Sequence, residues 1–301
     1  MSKHHRRLIK RYQVAPGHRI RLRSCDPADT GGPDFAPVGP DTVKERAAAF
    51  LEANRAELEK AQELLWASNA YSVLVVLQGM DAAGKDGTIK HVISGVDPQG
   101  CEVHGFKPPT PIELNHNFLW RYWDKVPGRG RLGIFNRSYY EEVLVAKVHP
   151  AILAAEHLPG GSGRALWESR YEDINGFERH LVRNGTVIVK FFLNVSKAEQ
   201  KRRLLERVED RTKHWKFSAA DLAERGYWRE YMAAYEEMLR ATSTEWAPWY
   251  VIPADHKYVA RALVAAILSG TIGALGLSYP KVTKSAERQL AAARRRLLGG
   301  D

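Results

Sequence analysis

Residues 79 to 88 read Gly79-Met80-Asp81-Ala82-Ala83-Gly84-Lys85-Asp86-Gly87-Thr88. Two glycines five apart, followed by a lysine, are the residue types that hold a phosphate. The glycines let the backbone curl, so that several amides of Gly79, Ala82, Ala83, Gly84, Asp86, Gly87 and Thr88 can face one anion. Lys85 reaches the phosphate oxygens. The Ser or Thr that ordinarily follows this lysine and ligates a metal is Asp86 here. Asp81 is therefore the first candidate for holding a cation, since a carboxylate beside phosphates is unfavourable unless a cation lies between them. The rival reading makes Asp81 a turn former.

A second polar cluster, Asn136-Arg137-Ser138-Tyr139-Tyr140-Glu141-Glu142, follows the apolar run Leu132 to Phe135. Asn136 occupies the place where a metal-binding Asp is usual and offers a neutral oxygen. Arg137 can clamp a phosphate bidentately, and Glu141 or Glu142 can supply the charge that Asn136 lacks. Asp81, Asn136 and Glu141 thus form the expected metal set. A third cluster runs from Lys201 to Trp228, with Arg202, Arg203, Arg207, Arg211, Lys213, Lys216 and Arg225 interleaved with aromatic residues. Arg203 and Arg207 are four apart and share a helical face. The acids Glu206, Glu209, Asp210 and Asp221 dilute the charge, so each of these cations alone could be ordinary surface. A basic stretch in this position suits a closing lid over about 205–228, where arginines neutralise a migrating phosphoryl group.

These groups need a scaffold. Val73 to Leu77 is a short apolar run rich in β-branched residues, the pattern of a strand covered on both faces of a parallel sheet. Leu132 to Phe135, Thr186 to Leu193 and Trp249 to Ile252 have the same character. Helical patterns around 112–124, 165–182, 197–209 and 219–241 alternate with them, which argues for an α/β layered fold. Functional groups in such folds collect at the C-terminal ends of strands, where both polar clusters fall. Ser196 with Glu199 predicts a capping box for the helix from Lys197. Residues 1–40, basic and rich in Pro and Gly, read as an arm. A long amphipathic helix follows, carrying Val43, Ala47, Phe50, Leu51, Leu58, Ala61 and Leu65 to about Trp66, with Asp41 or Thr42 as its N-cap. The main domain covers 41–280, and residues 281–301 form a basic helical tail.

Of 301 residues, 44% are hydrophobic and 27% charged, enough apolar material for a large core. The net charge of +10 points to a polyanionic partner or to a soluble surface. Two cysteines, Cys25 and Cys101, cannot build a disulfide framework or a Cys-x-x-Cys site. No secretory signal opens the chain, and the uncharged stretch Ala262 to Leu277 is short and interrupted by glycines. A cytoplasmic protein without a membrane segment is expected. His104, His116 and His149 have no metal-ligand spacing.

Three motifs in this order, Gly79 to Gly87, Gly105-Phe-Lys-Pro-Pro-Thr-Pro-x-Glu-Leu114 and Phe135-Asn-Arg-Ser-x-Tyr-Glu141, resemble the polyphosphate kinase 2 family from roughly residue 10 to 280. The resemblance implies a P-loop kinase-like three-layer sandwich with a central parallel sheet, a helical lid and an N-terminal helical extension, similar to thymidylate kinases. It implies transfer of phosphate between inorganic polyphosphate and adenine or guanine nucleotides with Mg2+ (or Mn2+), in a homo-oligomer (dimer or tetramer). Asp81, Lys85 and Arg137 would be catalytic, and Arg203 and Arg207 would belong to the lid. Asn136 followed by Tyr140 and Glu141 is similar to the subclass acting on both AMP and ADP. Polyphosphate would lie in a groove of Lys85, Lys107, Arg129, Arg131, Arg137, Arg211, Lys213 and Lys216. The competing function classes are an ATP-dependent nucleoside monophosphate kinase and a non-enzymatic nucleic-acid-binding module. No nucleic-acid partner is expected.

Overall fold

A computed structural model describes residues 3–31, 40–159 and 163–299. Five strands form one parallel sheet in the order β2-β3-β1-β4-β5. They are β1 (Ser72–Gln78), β2 (Cys101–Gly105), β3 (Leu132–Asn136), β4 (Thr186–Asn194) and β5 (Trp249–Pro253). Every residue of β1 and β5 is buried, as their continuous apolar runs require. The edge strand β2 has no such run and is largely half-exposed, which is why pattern reading passes over it.

The helices are α1 (Lys3–Tyr12), α2 (Pro40–Ser68), α3 (Lys85–Val92), α4 (Pro111–Leu114), α5 (Trp120–Trp123), α6 (Glu141–Val148), α7 (Pro150–Ala154), α8 (Arg164–Arg183), α9 (Lys197–Glu209), α10 (Ala219–Gly226), α11 (Trp228–Thr242), α12 (Lys257–Gly273) and α13 (Lys284–Gly299). One layer is built on α12, which packs against α1, α2 and α3. The opposite layer holds α6, α8 and α11. Val43, Ala47, Leu58 and Leu65 of α2 are buried, so its apolar stripe does face the core. The stretch from Ala262 is the buried face of α12.

Five expectations change. Helix α2 begins at Pro40, which suits a first helical turn, so Asp41 and Thr42 lie inside the helix instead of capping it. The 112–124 region is two short helices, and 219–241 is broken at Tyr227. At α9 the Ser196 hydroxyl accepts from the Glu199 amide at 3.1 Å, but the Glu199 carboxylate binds Arg202 and Arg203, so only half of a capping box forms. Residues 3–31 are less of an arm than their composition suggests. Leu8, Tyr12, Val14 and Leu22 are buried, Gln13 bridges Tyr250 antiparallel, and the Val14 amide donates to the Trp249 carbonyl at 2.8 Å. This segment covers the otherwise open edge of β5. The turn formers from Gly32 to Gly39 lie outside the described residues.

Candidate functional site

The phosphate loop joins central β1 to α3, with strands β3 and β4 on either side. A Cβ at Gly79 would lie 2.9 Å from the Leu193 carbonyl of β4, and Gly84, at φ +111, occupies a conformation that other residues adopt at a cost. Both glycines are thus demanded by the turn. Ala82 is also left-handed, at φ +60. Helix α9 stabilises this shape from behind. Gln200 donates to the Asp81 carbonyl at 3.0 Å, and Arg203 donates to the carbonyls of Ala82 at 3.0 Å and Ala83 at 2.7 Å. With its carbonyls engaged on α9, the loop is free to present amides on its other side.

Lys85 is buried, and its ammonium donates to the Gly79 carbonyl at 2.6 Å and the Met80 carbonyl at 3.3 Å. Burial, and then the Arg137 guanidinium, pull this group down to about 8. A phosphate bound beside it favours the charged form, so binding takes up a proton. Affinity for inorganic pyrophosphate is therefore expected to be full below pH 8 and to decline between pH 8 and 9. Calorimetric titration across that range checks this, and an affinity unchanged up to pH 9 would contradict it.

Arg137 stands in the left-handed turn after β3, at φ +65, and bridges two carboxylates. It pairs with Asp81, and with Glu141 at 3.0 Å. Those charges, Glu141 first, raise its pKa further, so it is a permanent cation. Asn136 donates to Asp86 at 2.7 Å. Asp81 and Glu141 thus meet across Arg137, and Asn136 meets Asp86, which makes two pairs of oxygen-bearing side chains at the ends of β1 and β3. Among the described residues no three acids, histidines or cysteines cluster to hold a metal alone. Magnesium usually takes one or two carboxylates and completes its shell with phosphates and water. The donor set fits an ion brought in with phosphates.

Two cavities open on this cluster. One, of about 540 Å³, is lined by the loop from Asp81 to Thr88 and by cations of α9, the lid and α12. The other, of about 350 Å³, is lined by Pro108, Pro109, Tyr122, Tyr231 and Tyr235 among others. Asp81, Phe106, Lys107, Arg137 and Asp221 line both. The segment expected from the sequence to act as a lid comprises a 3-10 turn, Arg211–Lys216, and α10, and neither buries a side chain. Lys213 and Lys216 face the larger cavity, whereas Arg211 is exposed and does not line it.

Several assigned positions move. Arg129 and Arg131 precede β3 and so lie at the N-terminal edge of the sheet. The strand's five residues put them about 15 Å from the phosphate loop. Arg131 is occupied there by the Gln99 carbonyl and by the Trp66 ring at 4.8 Å. They do not join the groove. Arg203 is no lid residue. It is buried in α9 and spends its guanidinium on Ala82, Ala83, Ala254 and Asp255 carbonyls. Arg207 also belongs to α9; like Arg203 it lines the larger cavity, and it pairs with Asp221 at 2.7 Å. Glu142 turns inward to accept from the Tyr122 hydroxyl at 2.9 Å, and burial pushes it up to about 7.

Three cations escape the sequence reading. Lys257 and Arg261, one turn apart at the start of α12, line the larger cavity. Arg121 lines the smaller one, and its Nη2 donates to the Lys107 carbonyl at 2.6 Å. Its buried Nε faces the Glu113 carboxylate at 3.5 Å, and its buried Nη1 has no hydrogen-bond partner. Their signal was position: α12 starts where a parallel strand ends, and Arg121 interrupts an aromatic run, Trp120 to Trp123.

The sequence pattern of the family described as Polyphosphate kinase 2 matches residues 41–276. An ADP-polyphosphate phosphotransferase of Rhodopseudomonas palustris is 51% identical, over 96% of this chain and 98% of its own. An AMP/ADP-polyphosphate phosphotransferase of Meiothermus ruber is 44% identical, over 93% and 98% respectively. The crystal structure of Polyphosphate Kinase 2 from Arthrobacter aurescens TC1 superposes with a TM-score of 0.84 at 41% identity, covering 95% of this chain and 96% of that one.

Proposed function

Because this chain belongs to the polyphosphate kinase 2 family, we propose that it moves a phosphoryl group from inorganic polyphosphate to AMP and to ADP, giving ADP and ATP, with Mg2+ or Mn2+. The observation that carries this reading is the pair of cavities meeting at Asp81, Lys107 and Arg137. The larger, cation-rich cavity suits a polyphosphate chain, and the smaller, aromatic one suits a nucleotide. Arg121, which lines this cavity and whose Nη1 has no hydrogen-bond partner, is positioned to take a nucleotide phosphate.

The acceptor is already an anion, so no strong base is needed. The difficulty is repulsion between two polyanions. Lys85 and Arg137 supply fixed positive charge where they meet, and lid cations such as Lys213 and Lys216 close over the donor and exclude water. Asp81, Asn136 and Glu141, with Asp86, would hold the metal ion. When bound, that ion offsets phosphate charge and orients phosphate oxygens.

Incubating the protein with polyphosphate, Mg2+ and either AMP or ADP tests the reading. ADP is expected from AMP and ATP from ADP. No product in either arm overturns the proposal, and product from ATP with AMP but not from polyphosphate identifies an ATP-dependent kinase. The AMP arm decides the acceptor range, since the two relatives carry different names in that respect. Three or four phosphate contacts would also make the polyphosphate KM rise about 10- to 100-fold between 50 and 200 mM salt, through counterion release. A flat dependence would contradict a groove of several cations.

A further inference from the structure

The lid segment, which buries none of its own side chains, is fixed to the rest of the protein through polar contacts. One of these runs straight to the phosphate loop. Arg225, in the last turn of α10, donates to the Gln200 side-chain oxygen at 2.7 Å and to the Lys197 carbonyl at 2.7 Å. Gln200 is fully buried, and its amide nitrogen donates to the Asp81 carbonyl at 3.0 Å. One side-chain amide therefore uses its acceptor on the lid and its donor on the loop. The neighbouring loop residue, Ala82, is the loop's one non-glycine residue with positive φ.

We propose that Gln200 is a positioning residue that couples lid closure to the geometry of the phosphate loop, through Arg225 on one side and the Asp81 carbonyl on the other. An amide fixed at both ends has one orientation. When Arg225 holds the oxygen, the nitrogen must point at Asp81, and the Asp81 peptide is set so that its side chain meets Arg137. When the lid opens and Arg225 leaves, the amide is free to rotate, and the loop loses the contact that fixes its first left-handed turn. The loop is then correctly shaped for transfer only while the lid is closed. The other lid contacts lack this property: Glu224 binds His149 and Tyr231, Asp221 binds Arg207, and the 3-10 turn meets α9 at Glu206, Arg207 and Val208, none of which touches a loop carbonyl.

The inference rests on the phosphotransferase reading above. Its test uses Gln200→Leu, Gln200→Glu, Arg225→Met and the Gln200→Leu/Arg225→Met double variant in the full chain. The readouts are kcat and KM for ADP and polyphosphate, and hydrogen exchange of residues 211–226. Gln200→Glu keeps an acceptor for Arg225 and loses the donor to Asp81, so it is expected to lower kcat about tenfold while lid exchange stays as in the wild type. Arg225→Met is expected to lower kcat similarly and to speed lid exchange. The double variant should lose no more kcat than Gln200→Leu alone, because the two residues act through one path. KM values should change less than threefold. Independent, multiplicative losses in the double variant overturn the coupling, as does wild-type kcat in a folded Gln200→Glu protein. If Gln200→Leu does not fold, Gln200→Glu with Arg225→Met supplies the same comparison. Should the wild type make no ATP from polyphosphate, the function proposal fails. Slow lid exchange in the wild type that both Gln200→Leu and Arg225→Met accelerate equally would still support the link.

Discussion

Lys85→Met is expected to lower ATP formation from ADP and polyphosphate by about 10² or more, with the protein still folded. Lys85 is a buried ammonium held against the carbonyls of Gly79 and Met80, at the base of the cation-rich cavity. Methionine keeps most of the side-chain volume and removes the charge, so the loss measures electrostatics more than packing. The effect belongs mainly in kcat if charge on the migrating group grows on the way to the transition state, and mainly in KM if Lys85 only binds polyphosphate. Lys85→Arg separates charge from fit: a planar guanidinium cannot take the place of a compact ammonium between two carbonyls, so it should recover only part of the loss. Asp81→Asn tests the other half of the pair and should release Arg137 from one of its carboxylates. Near-normal turnover in a folded Lys85→Met protein would dismantle the assignment of the loop.

How far the sequence reveals this site depends on which end of a strand a residue occupies. The loop, β1 and the turn after β3 are legible because a buried parallel strand is a continuous apolar run and its polar consequence follows at once. The same logic, carried through, excludes Arg129 and Arg131, which precede a strand and so sit at the other end. Strand β2 is not legible because its residues, Cys101-Glu-Val-His-Gly105, neither alternate cleanly nor form an apolar run, yet β2 is what brings Lys107 to the cleft. Arg121 depends on it in turn, since it enters the site by holding the Lys107 carbonyl. Arg203 shows the converse. Helical spacing put it on one face with Arg207, and both line the larger cavity, but only the packing of α9 behind the loop decides that Arg203 spends its guanidinium on loop carbonyls while Arg207 pairs with Asp221.

The largest stability effect is expected at a residue that lines neither cavity, at Glu178→Ala, with a loss of about 3–5 kcal/mol. Lys190 sits in the middle of β4, fully buried, and its ammonium donates to Glu178 at 2.6 Å, to the Tyr140 hydroxyl at 2.8 Å and to the Thr242 carbonyl at 2.7 Å. Tyr139 and Tyr140 both donate to the other oxygen of Glu178 at 2.8 Å. Burial draws Lys190 down to about 8, which is the cost the carboxylate offsets. Removing Glu178 leaves a buried ammonium and at least one tyrosine hydroxyl short of an acceptor, so the single variant should unfold much more readily in denaturant titrations. The double variant Glu178→Leu/Lys190→Met removes both charges and should recover most of that stability, since an apolar pair needs no compensation in a dry core. Activity should not recover with it. Tyr139 and Tyr140 lie two and three residues beyond Arg137, and their hydroxyls, anchored to Glu178, set the turn that aims the guanidinium at Asp81. Restored stability with kcat still depressed would show that the buried network positions the site. Full recovery of both would reduce the network to a structural ion pair.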